Sequence, residues 1–395
     1  IMPAPFFEPD HLRHGLIGAL LWLVSVSLAA TGGQDIADQI RAAQSTADYP
    51  RAAKLYAELI ASGEDSAEIR SNYGAMLYFA GRDREALEQL RLALKGNPKL
   101  TAPNLLAGMS LTRMGQWKDA VPYLERARLQ QPSSTAPLLA LGKAYVGLRD
   151  YRRAREAYVT ATEMDSSNGE AWYGAGITAR SLADAVLKKN REAGAESAEL
   201  LRDSMKALTR AVELDPASPH GHLILAESLR DSGKFAEALA EYETVLRLSP
   251  KDAAANLGLA TTYWKTGDPE KAVPHLEVVL AALPEDTEAN GIMANVLVRR
   301  GDFSKALPFA QKALARNPDL AQVRFSLAKI YMEQGHTENA VRELGKIAAI
   351  DPDGTYHFLL ARALRSLGRG AEAEEALAKF RQLRAASKGH TVEPE

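Results

Sequence analysis

Prolines recur at a fixed interval through the second half of this chain. Pro216, Pro250, Pro284, Pro318 and Pro352 are each separated by 34 residues. A period of this length is typical of repeat proteins, in which each unit buries its apolar surface only by stacking on its neighbours. Units counted from the first helical residue begin at 67, 101, 135, 169, 219, 253, 287, 321 and 354, after a degenerate unit over 33–66. The sequence therefore predicts an all-α solenoid of about ten helix pairs.

Small residues recur at two fixed positions of the unit. Position eight is Gly74, Gly108, Gly142, Gly176, Ala226, Ala260, Ala294, Ala328 and Ala361. Position twenty is Ala86, Ala120, Ala154, Ser204, Ala238, Ala272, Ala306, Ala340 and Ala373. Two helices approach closely only where their side chains are small, so these positions predict the crossing point of the paired helices. A glycine near position fifteen allows the turn between the helices, and the proline near position thirty-two ends the second helix.

These residues resemble the tetratricopeptide repeat family. Trp172, Gly176, Tyr145, Ala154 and Pro216 stand where that family places its tryptophan, glycine, tyrosine, alanine and proline. The resemblance covers roughly 33–387. It implies a right-handed α-α superhelix whose first helices line a concave groove for a peptide, a helix or a folded partner.

One unit is longer than the others. The unit over 169–218 carries sixteen extra residues between its two helices, and both arms of the excess keep helical spacing around a predicted turn at 192–195. We interpret it as a protruding helical hairpin that separates the repeats over 33–168 from those over 219–387. Position eight changes from glycine to alanine at the same point, so one continuous solenoid and two halves both remain open. A polar tail, 388–395, is predicted to be disordered.

The run 15–30, GLIGALLWLVSVSLAA, is the only long apolar segment. It is shorter than the roughly 20 residues that span a bilayer comfortably, and it ends in the small-x-small pattern of a signal peptidase site. We interpret 1–30 as a signal peptide cleaved near Ala29 or Ala30. An uncleaved membrane anchor and a buried core helix are the alternatives, because the segment before the run holds only one arginine.

Nothing in the sequence predicts catalysis, a cofactor or a metal site. Cysteine is absent, which excludes thiolate metal ligands and a cysteine nucleophile. The segment 174–179 imitates a dinucleotide fingerprint but lies inside a predicted helix with no strand before it, so we assign it to packing. His220 and His222 are two residues apart on a helix and make a poor chelate. The net charge of −2 gives no basic field for nucleic acid.

The candidate binding residues are those that the family resemblance places in the groove. The predicted apolar anchors are Tyr78, Phe79, Met109, Tyr173, Trp264, Phe325, Met332 and Phe358. The predicted cations are Arg113, Lys143, Arg180, Arg230, Lys265, Arg299, Lys329, Arg362 and Arg365. Together they favour a protein or peptide partner with an acidic segment. The alternative is a solvated helix face of mixed charge with no ligand.

The family's peptide clamp is not expected here. It pairs a lysine at position five with an asparagine at position nine of one unit. Asn295 stands at position nine, but position five of its unit is Gly291.

We therefore predict a non-catalytic, exported interaction scaffold of the periplasm or cell envelope. The alternatives are the recognition arm of an enzyme system, such as a repeat-bearing glycosyltransferase, and a cytosolic scaffold.

Overall fold

The computed structural model describes residues 31–190 and 192–388, and these residues form twenty α-helices. The first ten are α1 (Thr31–Ser45), α2 (Tyr49–Ala61), α3 (Ala67–Phe79), α4 (Asp83–Gly96), α5 (Ala102–Arg113), α6 (Trp117–Gln130), α7 (Ala136–Gly147), α8 (Tyr151–Met164), α9 (Gly169–Lys189) and α10 (Gly194–Leu214). The others are α11 (Pro219–Asp231), α12 (Phe235–Leu248), α13 (Ala253–Thr266), α14 (Pro269–Ala282), α15 (Thr287–Arg300), α16 (Phe303–Arg316), α17 (Ala321–Glu333), α18 (Thr337–Ile347), α19 (Thr355–Ser366) and α20 (Gly370–Lys388). A short 3₁₀ turn, Ala348–Ile350, follows α18.

The described helices form ten consecutive pairs, which confirms the all-α repeat fold. Odd-numbered helices are the first members of the pairs and even-numbered helices the second. The first helices from α3 onward begin at the predicted unit starts or one residue later. The signal-peptide assignment for 1–30 and the tail prediction lie outside the described residues, except that α20 ends at Lys388. No helix in the described ranges is long and apolar enough to cross a bilayer.

The chain divides into two compact blocks. The N-terminal block ends at Gly221 and the C-terminal block begins at His222. The boundary falls between Gly176 and Ala226, where position eight changes from glycine to alanine.

Position fifteen is the left-handed turn between paired helices. Seven glycines there have φ between 73° and 90°, as the glycine rule predicts: Gly81, Gly115, Gly233, Gly267, Gly301, Gly335 and Gly368. Arg149 (φ 58°) and Ala47 (φ 54°) occupy the same turn in their units without being glycine. The turn geometry is thus set by the repeat, and two units keep it despite the steric cost that the left-handed region imposes on a side chain.

The predicted crossing of small residues is confirmed. A Cβ added to Gly74, Gly108 or Gly176 would lie 2.4–2.6 Å from the leucine of the paired second helix, Leu90, Leu124 or Leu208 respectively. Ala86, Ala120 and Ala154 on the second helices are fully buried. The helices are therefore packed so closely that no larger side chain fits without displacement.

Between consecutive repeats, a large side chain on one helix packs against a glycine on the next. This pairing was not predicted from the sequence. Tyr158 fills position twenty-four of its unit, and position six of the next unit is Gly174, whose added Cβ would lie 2.4 Å from the Tyr158 ring. Tyr242 and Gly258 repeat the arrangement at 2.3 Å. Where position twenty-four is a leucine, position six of the next unit carries a side chain, as in Leu124 with Ala140 and Leu276 with Ile292.

The long unit forms the predicted pair of extended helices. Helices α9 and α10 are 21 residues each and pack along each other. The turn lies at 190–193, two residues before the predicted position, because Asn190 ends α9 and its side chain accepts a hydrogen bond from the amide of Glu192. Arg155 of α8 pairs with Asp203, and Arg152 lies 3.9 Å from Glu196. These ion pairs attach α10 to the preceding repeat.

Candidate functional site

Neighbouring first helices contact each other from α3 to α9 in the N-terminal block and from α13 to α17 in the C-terminal block. In the N-terminal block α3 contacts α5, α5 contacts α7 and α7 contacts α9. In the C-terminal block α13 contacts α15 and α15 contacts α17. We call the surface of the first helices the first-helix face. All seventeen predicted groove residues belong to first helices.

Four of the predicted apolar anchors are packed inside the repeats. Tyr78, Phe79, Met109 and Phe325 are only 7–8% exposed. The Phe79 ring lies 5.1 Å from Tyr49, and the Phe325 ring lies 5.2 Å from Tyr356 of the next repeat. In this conformation these four side chains join repeats together and present little surface for a ligand.

The predicted cations of the N-terminal block are engaged within the fold. Arg113 pairs with Asp83, donates to the Tyr78 carbonyl at 2.7 Å and stacks 3.8 Å from the Tyr78 ring centroid. Lys143 lies 2.6 Å from Glu170 and is mostly covered. Arg180 is half-buried. Tyr173 is also half-buried, with its ring 5.7 Å from His220.

Two cations of the C-terminal block are likewise paired with carboxylates. Arg230 lies 3.1 Å from Asp231, and Arg365 lies 2.6 Å from Glu374 of the second helix. Pairing to a carboxylate of the same chain weakens the field that these side chains offer to a partner.

Four cations remain, and we call them the cation row: Lys265 of α13, Arg299 of α15, Lys329 of α17 and Arg362 of α19. Lys265, Arg299 and Arg362 are exposed and Lys329 is half-buried. None of the four forms an ion pair with a residue in 31–190 or 192–388. They come from four consecutive first helices, so this part of the C-terminal block carries four cations outside ion pairs, although Arg299 and Glu270 attract each other at longer range.

Aromatic rings lie beside two members of the cation row. The Arg299 guanidinium is 5.9 Å from the Trp264 ring, and the Lys329 ammonium is 4.5 Å from the Phe325 ring. Partial burial lowers the pKa of Lys329, because it removes water from the ammonium group.

The remaining apolar anchors differ in what they expose. Trp264 and Met332 are half-buried. Phe358 is 51% exposed, with its ring 5.2 Å from Phe380 of α20. Phe358 is therefore the one predicted anchor that offers a largely open ring, one helical turn before Arg362.

Polar bonds between neighbouring first helices hold this face in place. Thr261 donates to Glu288 at 2.9 Å, and Ser326 donates to the Asn295 side-chain oxygen at 2.6 Å. Asn295 is thus nearly buried and engaged with the next helix. In the sequence, Asn295 stood out only as one half of the family's lysine–asparagine clamp. Its hydrogen bond to Ser326 could not be predicted, because the two residues belong to different repeats.

The segment that imitates a dinucleotide motif is confirmed as packing. Gly174 and Gly176 lie within α9 against Tyr158 and Leu208. His222 is directed toward Glu241 of α12, with 2.6 Å between Nδ1 and the carboxylate, instead of toward His220. Within the described ranges, no group of three potential metal-ligating side chains comes together.

The fold and this face define a helical-repeat protein. Models of the tetratricopeptide repeat match residues 38–100, 111–176, 229–296, 297–362 and 354–379. The matched segments make up well over half of the sequence. The chain belongs to the tetratricopeptide repeat family, whose members generally mediate protein–protein interaction and are typically non-catalytic scaffolds.

Several solved structures are similar to parts of this chain at low identity. YrrB, described as a TPR protein with an unusual peptide-binding site, is 22% identical with a TM-score of 0.43 and aligns over 51% of this chain and 96% of its own. PilF of Pseudomonas aeruginosa is 14% identical with a TM-score of 0.47, over 58% and 96%. A MamA structure is 22% identical with a TM-score of 0.37, over 44% and 90%. No curated protein sequence matches the chain significantly.

Proposed function

We propose that the chain is a non-catalytic interaction scaffold that binds an acidic segment of a partner protein on the first-helix face of its C-terminal block. The cation row carries this proposal. Lys265, Arg299, Lys329 and Arg362 lie on consecutive first helices and none of them forms an ion pair within the described residues, whereas Arg113 and Lys143 of the N-terminal block are paired with carboxylates. Charges of one sign that lie on one surface add their fields and attract the opposite charge.

The apolar side chains next to the row supply the second part of recognition. Phe358 is open to solvent, and Trp264 and Met332 are partly open. Aromatic side chains at a binding surface contribute strongly once a partner covers them. The expected partner segment therefore combines carboxylates with a few apolar residues.

Charge reversal tests the proposal. We expect a variant with Lys265, Arg299, Lys329 and Arg362 all changed to glutamate to lose the acidic peptides that the parent selects from a display library of random dodecapeptides. A representative selected peptide should bind about tenfold or more weakly at low salt, since four attractive contacts become repulsive. Fluorescence anisotropy measures the affinity, and 0.5 M salt should reduce the difference because exposed charges are screened.

A matched variant controls for net charge. Lys251, Lys305, Arg316 and Arg381 are exposed and lie off the first helices, and their change to glutamate alters the net charge equally. This control should bind like the parent. Equal loss in both variants, or no acidic enrichment in the selection, would contradict the proposal.

We also propose that the protein is exported to the periplasm or cell envelope. The signal-like run 15–30 supports this location. Cell fractionation should recover the protein in the envelope or periplasmic fraction, with a mature amino terminus at residue 30 or 31. A cytosolic protein that retains the run 15–30 would refute export and leave the binding proposal to its own test.

A further inference from the structure

The cation row takes one cation from each of four consecutive first helices. Lys265 and Arg299 both occupy position thirteen on the neighbouring helices α13 and α15, and Lys329 and Arg362 both occupy position nine, on α17 and α19. Packed helices lie about 8–10 Å apart. Equivalent positions on consecutive first helices therefore recur at about that distance along the face.

Between α15 and α17 the cation moves from position thirteen to position nine of the repeat, and the sequence of α17 gives the reason. Position thirteen of α17 is Glu333, an exposed carboxylate that would repel an acidic segment. Lys329 lies four residues earlier on the same helix, about 6 Å along the helix axis, so the diagonal step from Arg299 to Lys329 is about 10–12 Å. A segment that follows the row passes beside Glu333 and still meets a cation on every helix.

Few peptide backbone conformations place carboxylates about 8–10 Å apart along one side of the peptide. A β-strand places same-side residues about 6.7 Å apart at i, i+2 and about 13 Å apart at i, i+4. Polyproline II repeats every three residues, so residues i, i+3 and i+6 share one side at intervals of about 9.3 Å. An α-helix reaches about 10.5 Å at i, i+7, but a bound helix needs a wide apolar groove. Here Phe325 is buried, and Phe358 is the main open ring.

We propose that the partner segment is a polyproline II stretch with an acidic residue at every third position, running across α13, α15, α17 and α19. This deepens the proposed function and depends on it. Four carboxylates at i, i+3, i+6 and i+9 would each meet one cation of the row. Polyproline II is stiff before binding, so little conformational entropy is lost when it docks.

Three synthetic peptides of identical composition test the spacing. Each is a fluorescein-labelled dodecapeptide with four aspartates and the same numbers of prolines and serines. The aspartates are spaced by three in the first, by two in the second, and contiguous in the third. Net charge is equal, so long-range attraction is equal and any difference in affinity reports the spacing of the contacts.

We expect the spacing-three peptide to bind roughly fivefold more tightly than either isomer at low salt, since only its four aspartates can each meet one cation of the row. The advantage should shrink in the parent chain carrying Lys329→Gln and Arg362→Gln, which removes half of the row, and persist in a Lys305→Gln and Arg316→Gln control. Equal binding of the three peptides, lost on reversal of the cation row, would overturn the spacing inference and keep the proposed function. Binding of none of them would count against both.

Discussion

Replacing Gly174 with alanine is expected to lower the free energy of unfolding by about 1–3 kcal/mol, although alanine is the better helix former. The added Cβ would lie 2.4 Å from the Tyr158 ring, which is fully buried. A ring enclosed on all sides cannot move aside without disturbing α8 and α9. Chemical denaturation, with hydrogen exchange read on α8 and α9, measures the loss.

A second substitution should rescue the first. Tyr158→Leu together with Gly174→Ala recreates the pairing of Leu124 with Ala140 one repeat earlier. We expect the double variant to be more stable than the sum of the single effects predicts, by at least about 1 kcal/mol, because the two residues are in contact. Gly194→Ala is the control, since nothing lies within 4 Å of its added Cβ. Additive effects in the double variant would show that the two residues do not share one packing site.

Ala272→Leu is expected to destabilise the C-terminal block by about 2–3 kcal/mol, through overpacking. Ala272 of α14 and Ala260 of α13 are both fully buried in one apolar cluster. A leucine has no space at this crossing and must push the paired helices apart. In a repeat protein each pair contacts only its neighbours, so hydrogen exchange should accelerate in α13 to α16 before α19 and α20 respond.

Ala281→Leu on the same helix is the matched control. Ala281 is exposed, so the substitution should change stability by less than about 0.5 kcal/mol. If Ala272→Leu loosened α13 to α20 uniformly, the nearest-neighbour description of this block would be wrong.

The repeat fold could be read from the sequence because its rules are local. Glycine or alanine at position eight, alanine or serine at position twenty and glycine at position fifteen each follow from the sterics of one helix pair. The extended hairpin was also predictable, since both of its arms keep helical spacing. Its turn was misplaced by two residues, because Asn190 ends α9 with a side-chain hydrogen bond that helical periodicity does not report.

For the candidate binding residues, the sequence predicted that they lie on the first helices but not whether they are exposed or paired. The sequence placed Tyr78, Phe325, Arg113 and Lys265 alike on the first-helix face. The structure separates them: Tyr78 and Phe325 are buried, Arg113 is paired with Asp83, and Lys265 is exposed without an ion pair. Arg113 and Asp83 are 30 residues apart, so their contact depends on how two repeats stack.

The sequence by itself thus determined the helix pairs, their crossing points and the turns between them, because each depends on side-chain size and backbone conformation within one repeat. Only the tertiary structure decided which large side chains join neighbouring repeats and which cations form ion pairs. Those properties arise between repeats. Burial and ion pairing depend on the distance between side chains that the chain brings together only when the repeats stack.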